Sequence, residues 1–177
     1  MRKITKESSE AFVNFKPYKK SNTEVDYYYN YRDRVELPVR YASFSLHGNC
    51  IAEIYQDGKE IMLTDNYDDF VGGKKRVKID LCGWHTPTTR ERINGVLDAL
   101  GYDFRIAQRN HEQVLVKQMN PFPQELLDQF KLYNAVASPK EKILKLSDDS
   151  FDPDFAKRVF NSKEFVSGTD LNAITDF

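Results

Sequence analysis

The stretch DLCGWHTPTTRERINGVLDALG, residues 80–101, decides how the rest of the chain is interpreted. It begins as the end of a strand and continues as an amphipathic helix over residues 88–100. Thr88 followed three residues later by Glu91 forms a capping box, in which each side chain bonds the main-chain amide of the other. Gly101 predicts a left-handed stop. One buried helix face is predicted by the spacing of Ile93, Val96, Leu97 and Leu100.

The residues on both sides of this helix have strand-like patterns, from about residue 22 to residue 118. Asp57-Gly58 between two apolar runs predicts a two-residue hairpin turn. Gly72-Gly73 predicts a second turn, and residues 109–111 predict the turn of a closing hairpin. These segments predict one antiparallel sheet with the helix packed on it.

The chain changes character after Asn120, where two prolines end the sheet and helical spacing of apolar residues begins. Ser138 and Glu141 form a second capping box, and Asp152 is placed to cap a further helix. The predicted fold is therefore α+β: an antiparallel sheet with one packed helix, followed by a helical C-terminal extension. The predicted division is a domain over residues 1–119 and a helical extension over residues 120–177 that packs on it.

The composition is that of a globular protein, with 177 residues, 40% hydrophobic and 30% charged. The sequence has no apolar run of eighteen residues, and MRKITKESSEAF lacks the apolar stretch of a secretory signal. We therefore expect no membrane contact and a cytoplasmic location.

Two short motifs bear on metal binding and nucleophilic catalysis. His47-x-x-Cys50 and Cys82-x-x-His85 together offer the four ligands of a tetrahedral zinc site. Neither pair has the flanking pattern of a zinc ribbon, so buried thiols with a packing role are favoured and no metal or cofactor is assigned. Cys82 and His85 could alternatively form a nucleophile and base.

Tyrosine and basic residues favour a local contact with nucleic acid. The net charge of −1 is too low for general polyanion binding, so any such contact must be local. Tyrosines interleaved with arginines on a sheet are typical of single-strand binders, but they also occur at protein interfaces and in ordinary strands. The start of the 88–100 helix could bind phosphate, or its arginines could pair with Glu91, Asp98 or neighbouring strands. The candidate contact residues are Tyr27, Tyr29, Arg32, Arg34, Lys74, Lys75, Arg76, Arg90 and Arg92.

The sequence shows none of the motifs of a serine hydrolase, P-loop enzyme or zinc protease, so a non-catalytic binding protein is favoured over an enzyme. The alternative to nucleic acid is a protein that binds and modulates another protein. Such a surface would use the aromatic residues Phe155, Phe160 and Phe165 as anchors. Oligomeric state is left open.

Three segments stand in order along the chain: SNTEV at residues 21–25, LHGNCIAEI at 46–54 and CGWHTPTTRERING at 82–95. Together they resemble a family of small bacteriophage proteins of unassigned activity. In that family, Asn-Thr-x-Val, His-Gly-Asn-x-Ile-Ala and Gly-Trp-x-Thr-x-Thr-Thr-Arg-x-Arg-(Leu/Ile)-Asn blocks occur in this order. The resemblance covers about residues 1–118, with residues 66–78 as an insertion. It implies a viral origin and the cytoplasm of an infected bacterium, and it implies no reaction. It also implies that the partner in the alternative is a host or viral protein.

Overall fold

The structure is a computed structural model that describes residues 2–30, 39–61, 70–119, 140–146 and 149–162. Its elements in chain order are α1 (Lys3–Val13), β1 (Tyr18–Lys20), β2 (Thr23–Asn30), β3 (Val39–Leu46), β4 (Asn49–Ile61), β5 (Phe70–Asp80), α2 (Pro87–Ala99), β6 (Phe104–Arg109), β7 (Glu112–Met119), β8 (Lys140–Lys145), β9 (Ser150–Phe151) and α3 (Pro153–Asn161). The predicted α+β class is confirmed.

The strands form two antiparallel sheets, whereas the sequence pattern predicted one. The first sheet has the order β1-β2-β3-β4-β5-β9 and the second has the order β6-β7-β8. One side of the first sheet is buried under α1 and α2, and it carries Val25, Phe44, Ala52 and Ile79. Side chains alternate along each strand, so the intervening residues lie on the opposite side, which we call the open side.

The two-residue turn between β3 and β4 is His47-Gly48, and the predicted turn at Asp57-Gly58 is wrong. His47 and Gly48 both have positive φ, 52° and 81°, as this tight hairpin turn requires. Asp57 instead pairs with Val39 inside the ladder, and Gly58 pairs with Gly72, so Gly72-Gly73 is also strand. The register shifts at Gly58, which accounts for a glycine in a strand.

The predicted hairpin around Asn110 is confirmed, since β6 and β7 pair on either side of Asn110-His111. The predicted helix that begins at Ser138 is wrong, because residues 140–145 form β8 and pair with β7. In this pairing Leu144 faces Leu115, and both are fully buried. The gain from completing the second sheet overrides the local helix signal.

Helix α1 was not predicted, because its buried face is largely made of small polar residues. Thr5, Ser8 and Ser9 are buried along with Phe12, so the apolar periodicity is weak. The Ser8 hydroxyl donates to the carbonyl oxygen of Ile4 at 2.7 Å, which satisfies one of these polar groups within the helix.

Helix α2 is confirmed, but its predicted capping box is wrong. The N-cap is Thr86, whose hydroxyl accepts from the Thr89 amide at 3.1 Å, and Pro87 is the first helical residue. The Glu91 carboxylate is occupied by α1, because it accepts from the Thr5 hydroxyl at 3.0 Å. The predicted stop is confirmed: Gly101 has φ 76°, and the next amide bonds to the carbonyl of Leu97 at 3.0 Å.

The described part of the C-terminal segment is mixed and not simply helical, since it contains β8, β9 and α3. The predicted cap of α3 is confirmed, because the Asp152 side chain accepts from the Asp154 amide at 2.8 Å. The predicted helix after Pro123 lies outside the described residues. Among the described helices, none combines the length and apolar character needed to cross a membrane.

Candidate functional site

Three tyrosine rings lie side by side across the open side of the first sheet. Tyr28, Tyr41 and Tyr55 are register neighbours on β2, β3 and β4. The ring centroids of Tyr28 and Tyr41 are 5.8 Å apart, and those of Tyr41 and Tyr55 are 4.9 Å apart. Tyr28 is 56% exposed, so this tyrosine row is open to a ligand at its β2 end.

The central ring of the tyrosine row is fixed by a carboxylate. The Tyr41 hydroxyl donates to Glu53 Oε1 at 2.7 Å. Partial burial, together with this hydrogen bond and the Glu53 charge, raises the pKa of Tyr41 well above its usual value. Burial and the same carboxylate raise the pKa of Tyr55. Both rings are therefore neutral phenols at physiological pH and hold a defined orientation.

Two basic residues continue the open side onto β5. Arg76 is the register neighbour of Tyr55, and Lys78 is the register neighbour of Glu53; both are exposed. Asp26, two residues from Tyr28, lies on the same side by strand alternation. The open side is therefore aromatic with mixed charge, and its cations are concentrated at one end.

Of the predicted tyrosine contacts, Tyr27 lies on the side of the sheet that α1 covers. Tyr27 is partly buried and packs edge-on against Phe15, with ring centroids 6.3 Å apart. Tyr28 is on the open side. Tyr29 lies in β2, and Arg32 and Arg34 lie outside the described residues.

The predicted basic cluster of β5 is divided by strand alternation. Lys75 Nζ donates to the carbonyl oxygen of Val13 at 2.9 Å and lies 5.4 Å from the centroid of the Phe15 ring. Burial lowers the pKa of Lys75. Lys75 therefore binds the C-terminal end of α1. Arg76 is exposed on the open side, and Lys74 lies in β5.

The two predicted arginine contacts of α2 have structural partners. Arg90 Nη1 donates to the carbonyl oxygen of His85 at 2.7 Å. Arg92 is 3% exposed and donates to the hydroxyls of Thr5 and Thr23. Burial lowers the pKa of Arg92, while the Glu91 charge opposes that change. A ligand in solution cannot reach Arg92 in this conformation.

The helix start is also a weak anion site, because its amides are few. Pro87 has no amide hydrogen, and the Thr89 amide bonds to Thr86. The Arg90 amide bonds to the carbonyl oxygen of Thr86 at 3.1 Å. Only the amide of Thr88 is left for a ligand, which is less than a phosphate-binding helix start supplies.

The four candidate zinc ligands do not form one site. His47 Nε2 lies 2.6 Å from Asn22 Nδ2, and His85 Nε2 lies 2.5 Å from Asp149 Oδ1. Cys82 Sγ donates to the carbonyl oxygen of Cys50 at 3.0 Å. Within the described ranges, no group of three or more His, Cys, Asp or Glu side chains could hold a metal ion.

Cys82 is also unsuited to the nucleophile role. Local burial, with the adjacent Asp80 carboxylate, raises the pKa of Cys82 to about 11. Since the thiolate is the nucleophile, a raised pKa leaves only a small reactive fraction of this thiol near neutral pH. His85, its predicted base, is held by Asp149 instead.

The sequence analysis did not assign Tyr28, Tyr41 or Tyr55 to the candidate site. A signal was present, since Tyr28, Tyr41 and Tyr55 lie on consecutive strands. Using that signal required the β3–β4 register, which the misplaced hairpin turn concealed.

Comparison with protein families, with curated proteins and with solved structures gives no match to this chain. The geometry of the described residues is therefore the basis for assigning a function.

Proposed function

We propose that this protein binds single-stranded nucleic acid on the open side of its first sheet and performs no catalysis. The tyrosine row of Tyr28, Tyr41 and Tyr55 is the observation that carries this proposal. Sheets that bind single strands use aromatic rings in this way, because unpaired bases stack on them.

The spacing of the rings suits successive bases that are unstacked from one another. Neighbouring strands place the three rings 4.9 and 5.8 Å apart, so successive bases can each meet a ring as the strand crosses the sheet. Stacking of one base contributes about 1–3 kcal/mol. The bond from Tyr41 to Glu53 fixes the central ring before binding, which reduces the entropy lost on association.

The charges of the open side predict modest electrostatic binding. Arg76 and Lys78 can each contact a phosphate, while Glu53 opposes close approach of the backbone near Tyr41. Two phosphate contacts on a single strand give a slope of log K against log salt of about −1.4. Binding should therefore depend mainly on stacking and only weakly on salt.

Fluorescence anisotropy of a labelled oligonucleotide tests the proposal, with the single strand and its duplex compared at two salt concentrations. We expect the single strand to bind more tightly, because bases in a duplex are not free to stack on the sheet. Tyr28→Ala should weaken binding by about fivefold or more, the equivalent of one lost stacking contact. Tyr28→Phe is the matched control, since it keeps the ring.

Failure of the single strand to bind at low salt would reject the proposal. Equal affinities of Tyr28→Ala and Tyr28→Phe would reject the assigned surface. A duplex preference would show that stacking on the tyrosine row does not drive the interaction.

The alternative, a protein that modulates a host or viral protein, relied on Phe155, Phe160 and Phe165 as anchors, and Phe160 is buried in the core. Phe160 is 1% exposed and packs on Phe104 with ring centroids 5.3 Å apart. Phe155 is partly buried against the core, and Phe165 lies outside the described residues. These contacts give Phe155 and Phe160 a packing role, so the tyrosine row is the better-supported surface.

A further inference from the structure

A concave site lies between the β3–β4 turn and the start of α2, at the end of the first sheet away from the tyrosine row. Its volume is about 510 Å³, which is within the usual range for small-molecule sites. Leu46 and Ile51 form an apolar wall of this site. The other lining residues include His47, Asn49, Trp84 and Thr88. We call this site the Trp84 pocket.

Trp84 supplies a large ring that is open to a ligand. It is the only tryptophan of the chain and is 55% exposed. Tryptophan at such a position provides a flat apolar surface with one polar atom. A single exposed aromatic residue is not a site by itself, but this one lies against a cavity with polar groups.

The loop that carries Trp84 is held by Asp149. The Gly83 amide donates to Asp149 Oδ2 at 2.8 Å, and His85 Nε2 lies 2.5 Å from Asp149 Oδ1. The Leu81 amide donates to the main-chain oxygen of Asp149 at 2.9 Å, and the Trp84 amide donates to Leu81 at 2.8 Å. These bonds place Trp84 before any ligand arrives, which favours binding.

Polar groups at the pocket are available for hydrogen bonds. Within the part of the chain that the structure describes, the side-chain amide of Asn49 and the hydroxyl of Thr88 have no hydrogen-bond partner. An Asn side chain offers a donor and an acceptor side by side, which matches the edge of a nucleobase. His47 is held by Asn22 at 2.6 Å, so it forms a fixed part of the rim.

The charge of the lining excludes a ligand that is recognised through phosphate. No Asp, Glu, Lys or Arg side chain is among the described residues that line the pocket. The helix start contributes little, because the Thr89 amide already bonds to Thr86. A neutral, flat ring with hydrogen-bonding edges fits these features best.

We propose that the Trp84 pocket binds a nucleobase or nucleoside, with the base stacked on Trp84 and its edge bonded to Asn49 and Thr88. This site is distinct from the tyrosine row: Leu46 is five residues along β3 from Tyr41, or about 17 Å. The inference does not rest on the proposed function, because its residues and its ligand contacts are separate.

Tryptophan fluorescence of the full chain tests this inference directly, because Trp84 is the sole tryptophan. Adenosine, cytidine and uridine are titrated, with glucose as a neutral ring that lacks a base. We expect saturable quenching by at least one nucleoside and none by glucose. Isothermal calorimetry on the same titrations excludes simple collisional quenching.

Two variants assign the binding to the pocket. Thr88→Val keeps the shape of the side chain and removes the hydroxyl, and Asn49→Ala removes the amide. Each should weaken nucleoside binding by roughly two- to tenfold, the equivalent of one hydrogen bond. Tyr28→Ala should leave nucleoside affinity unchanged.

Three results would overturn the inference: no saturable binding of any nucleoside, affinities unchanged in both Thr88→Val and Asn49→Ala, or binding of glucose in place of nucleosides. If no nucleoside binds but an oligonucleotide still binds in a way that depends on Tyr28, only the inference about the pocket is rejected. The reverse pattern would reject only the proposed function.

Discussion

The buried guanidinium of Arg92 donates through Nε to the hydroxyl of Thr23 at 3.2 Å, and so links α2 to β2. Its Nη1 atom donates to the Thr5 hydroxyl and lies 3.8 Å from Glu91 Oε1. The Arg92 side chain therefore joins α1 and α2 to the first sheet. This arrangement explains how two arginines in the first turns of one helix can have different roles.

Arg92→Met should destabilise the fold, whereas Arg90→Met should have a small effect. Loss of Arg92 leaves the buried hydroxyls of Thr5 and Thr23 without this donor, at a cost of roughly 1–3 kcal/mol. Arg90 bonds one carbonyl at a more exposed position, so its loss should cost less than about 1 kcal/mol. Urea unfolding of both variants measures the difference, and equal free energies would contradict the structural role of Arg92.

Glu91 should make stability depend on acid pH. Partial burial raises the pKa of Glu91, but hydrogen bonds from the Arg2 amide and the Thr5 hydroxyl, with the Arg2 charge, outweigh it and hold that pKa below its usual value of 4.5. A lowered folded pKa means that the stabilisation is complete above the unfolded pKa and is lost as pH falls through the folded pKa.

The variant Glu91→Gln isolates this contribution. At pH 7 it should reduce the free energy of unfolding by roughly 1–3 kcal/mol, because hydrogen bonds to a charged group are lost. The difference from the natural chain should shrink as pH falls below 4.5. Glu10→Gln is the control, since Glu10 is exposed and pairs only across one helical turn with Lys6. A pH-independent difference for Glu91→Gln would contradict the role of its charge.

Thr86→Ala should destabilise α2 more than Thr88→Ala does. The Thr86 hydroxyl accepts from the Thr89 amide, and loss of such a cap costs about 1 kcal/mol. Thr88 has no capping bond, so its loss should cost only a few tenths of that amount. Thermal or urea unfolding compares the two, and the reverse order would restore the capping box that the sequence suggested.

Local signals in the sequence predicted those elements whose ends and faces are fixed by short-range chemistry. The apolar spacing of α2, the stop at Gly101 and the cap at Asp152 all depend on residues within two helical turns of one another. Helix α1 was not predicted, because Thr5, Ser8 and Ser9 fill its interface and weaken the apolar pattern. Strand β8 was predicted as a helix, because a capping pattern at Ser138 competes with pairing to β7.

The candidate site was harder to predict, because it depends on pairing between strands. Side chains alternate along a strand, so Tyr27 and Tyr28 lie on opposite sides of the sheet. The alternation alone does not show which of them faces the helices. The same ambiguity applied to Lys75 and Arg76, which alternate between the buried and open sides. Only the packing of α1 on one side of the sheet decides the matter, and α1 itself was not predicted.

Cys82 should react slowly with alkylating reagents until the pH is well above neutral. Burial and the Asp80 carboxylate raise its pKa to about 11, compared with 9.0 for an unperturbed thiol. Because only the thiolate attacks, the rate should continue to rise, by about tenfold per pH unit, beyond pH 9. Iodoacetamide kinetics of the Cys50→Ala variant report on Cys82 alone, since its bond goes to the main-chain oxygen of residue 50.

Asp80→Asn tests the cause of this low reactivity in the same background. The amide oxygen can still accept from the Cys82 amide, a bond of 2.8 Å in the natural chain, while the negative charge is removed. The thiol pKa should fall and alkylation at pH 8 should become faster. If the alkylation rate of the Cys50→Ala variant with Asp80 intact levels off near pH 9, the raised pKa is contradicted. Cys82 would then again be a candidate nucleophile.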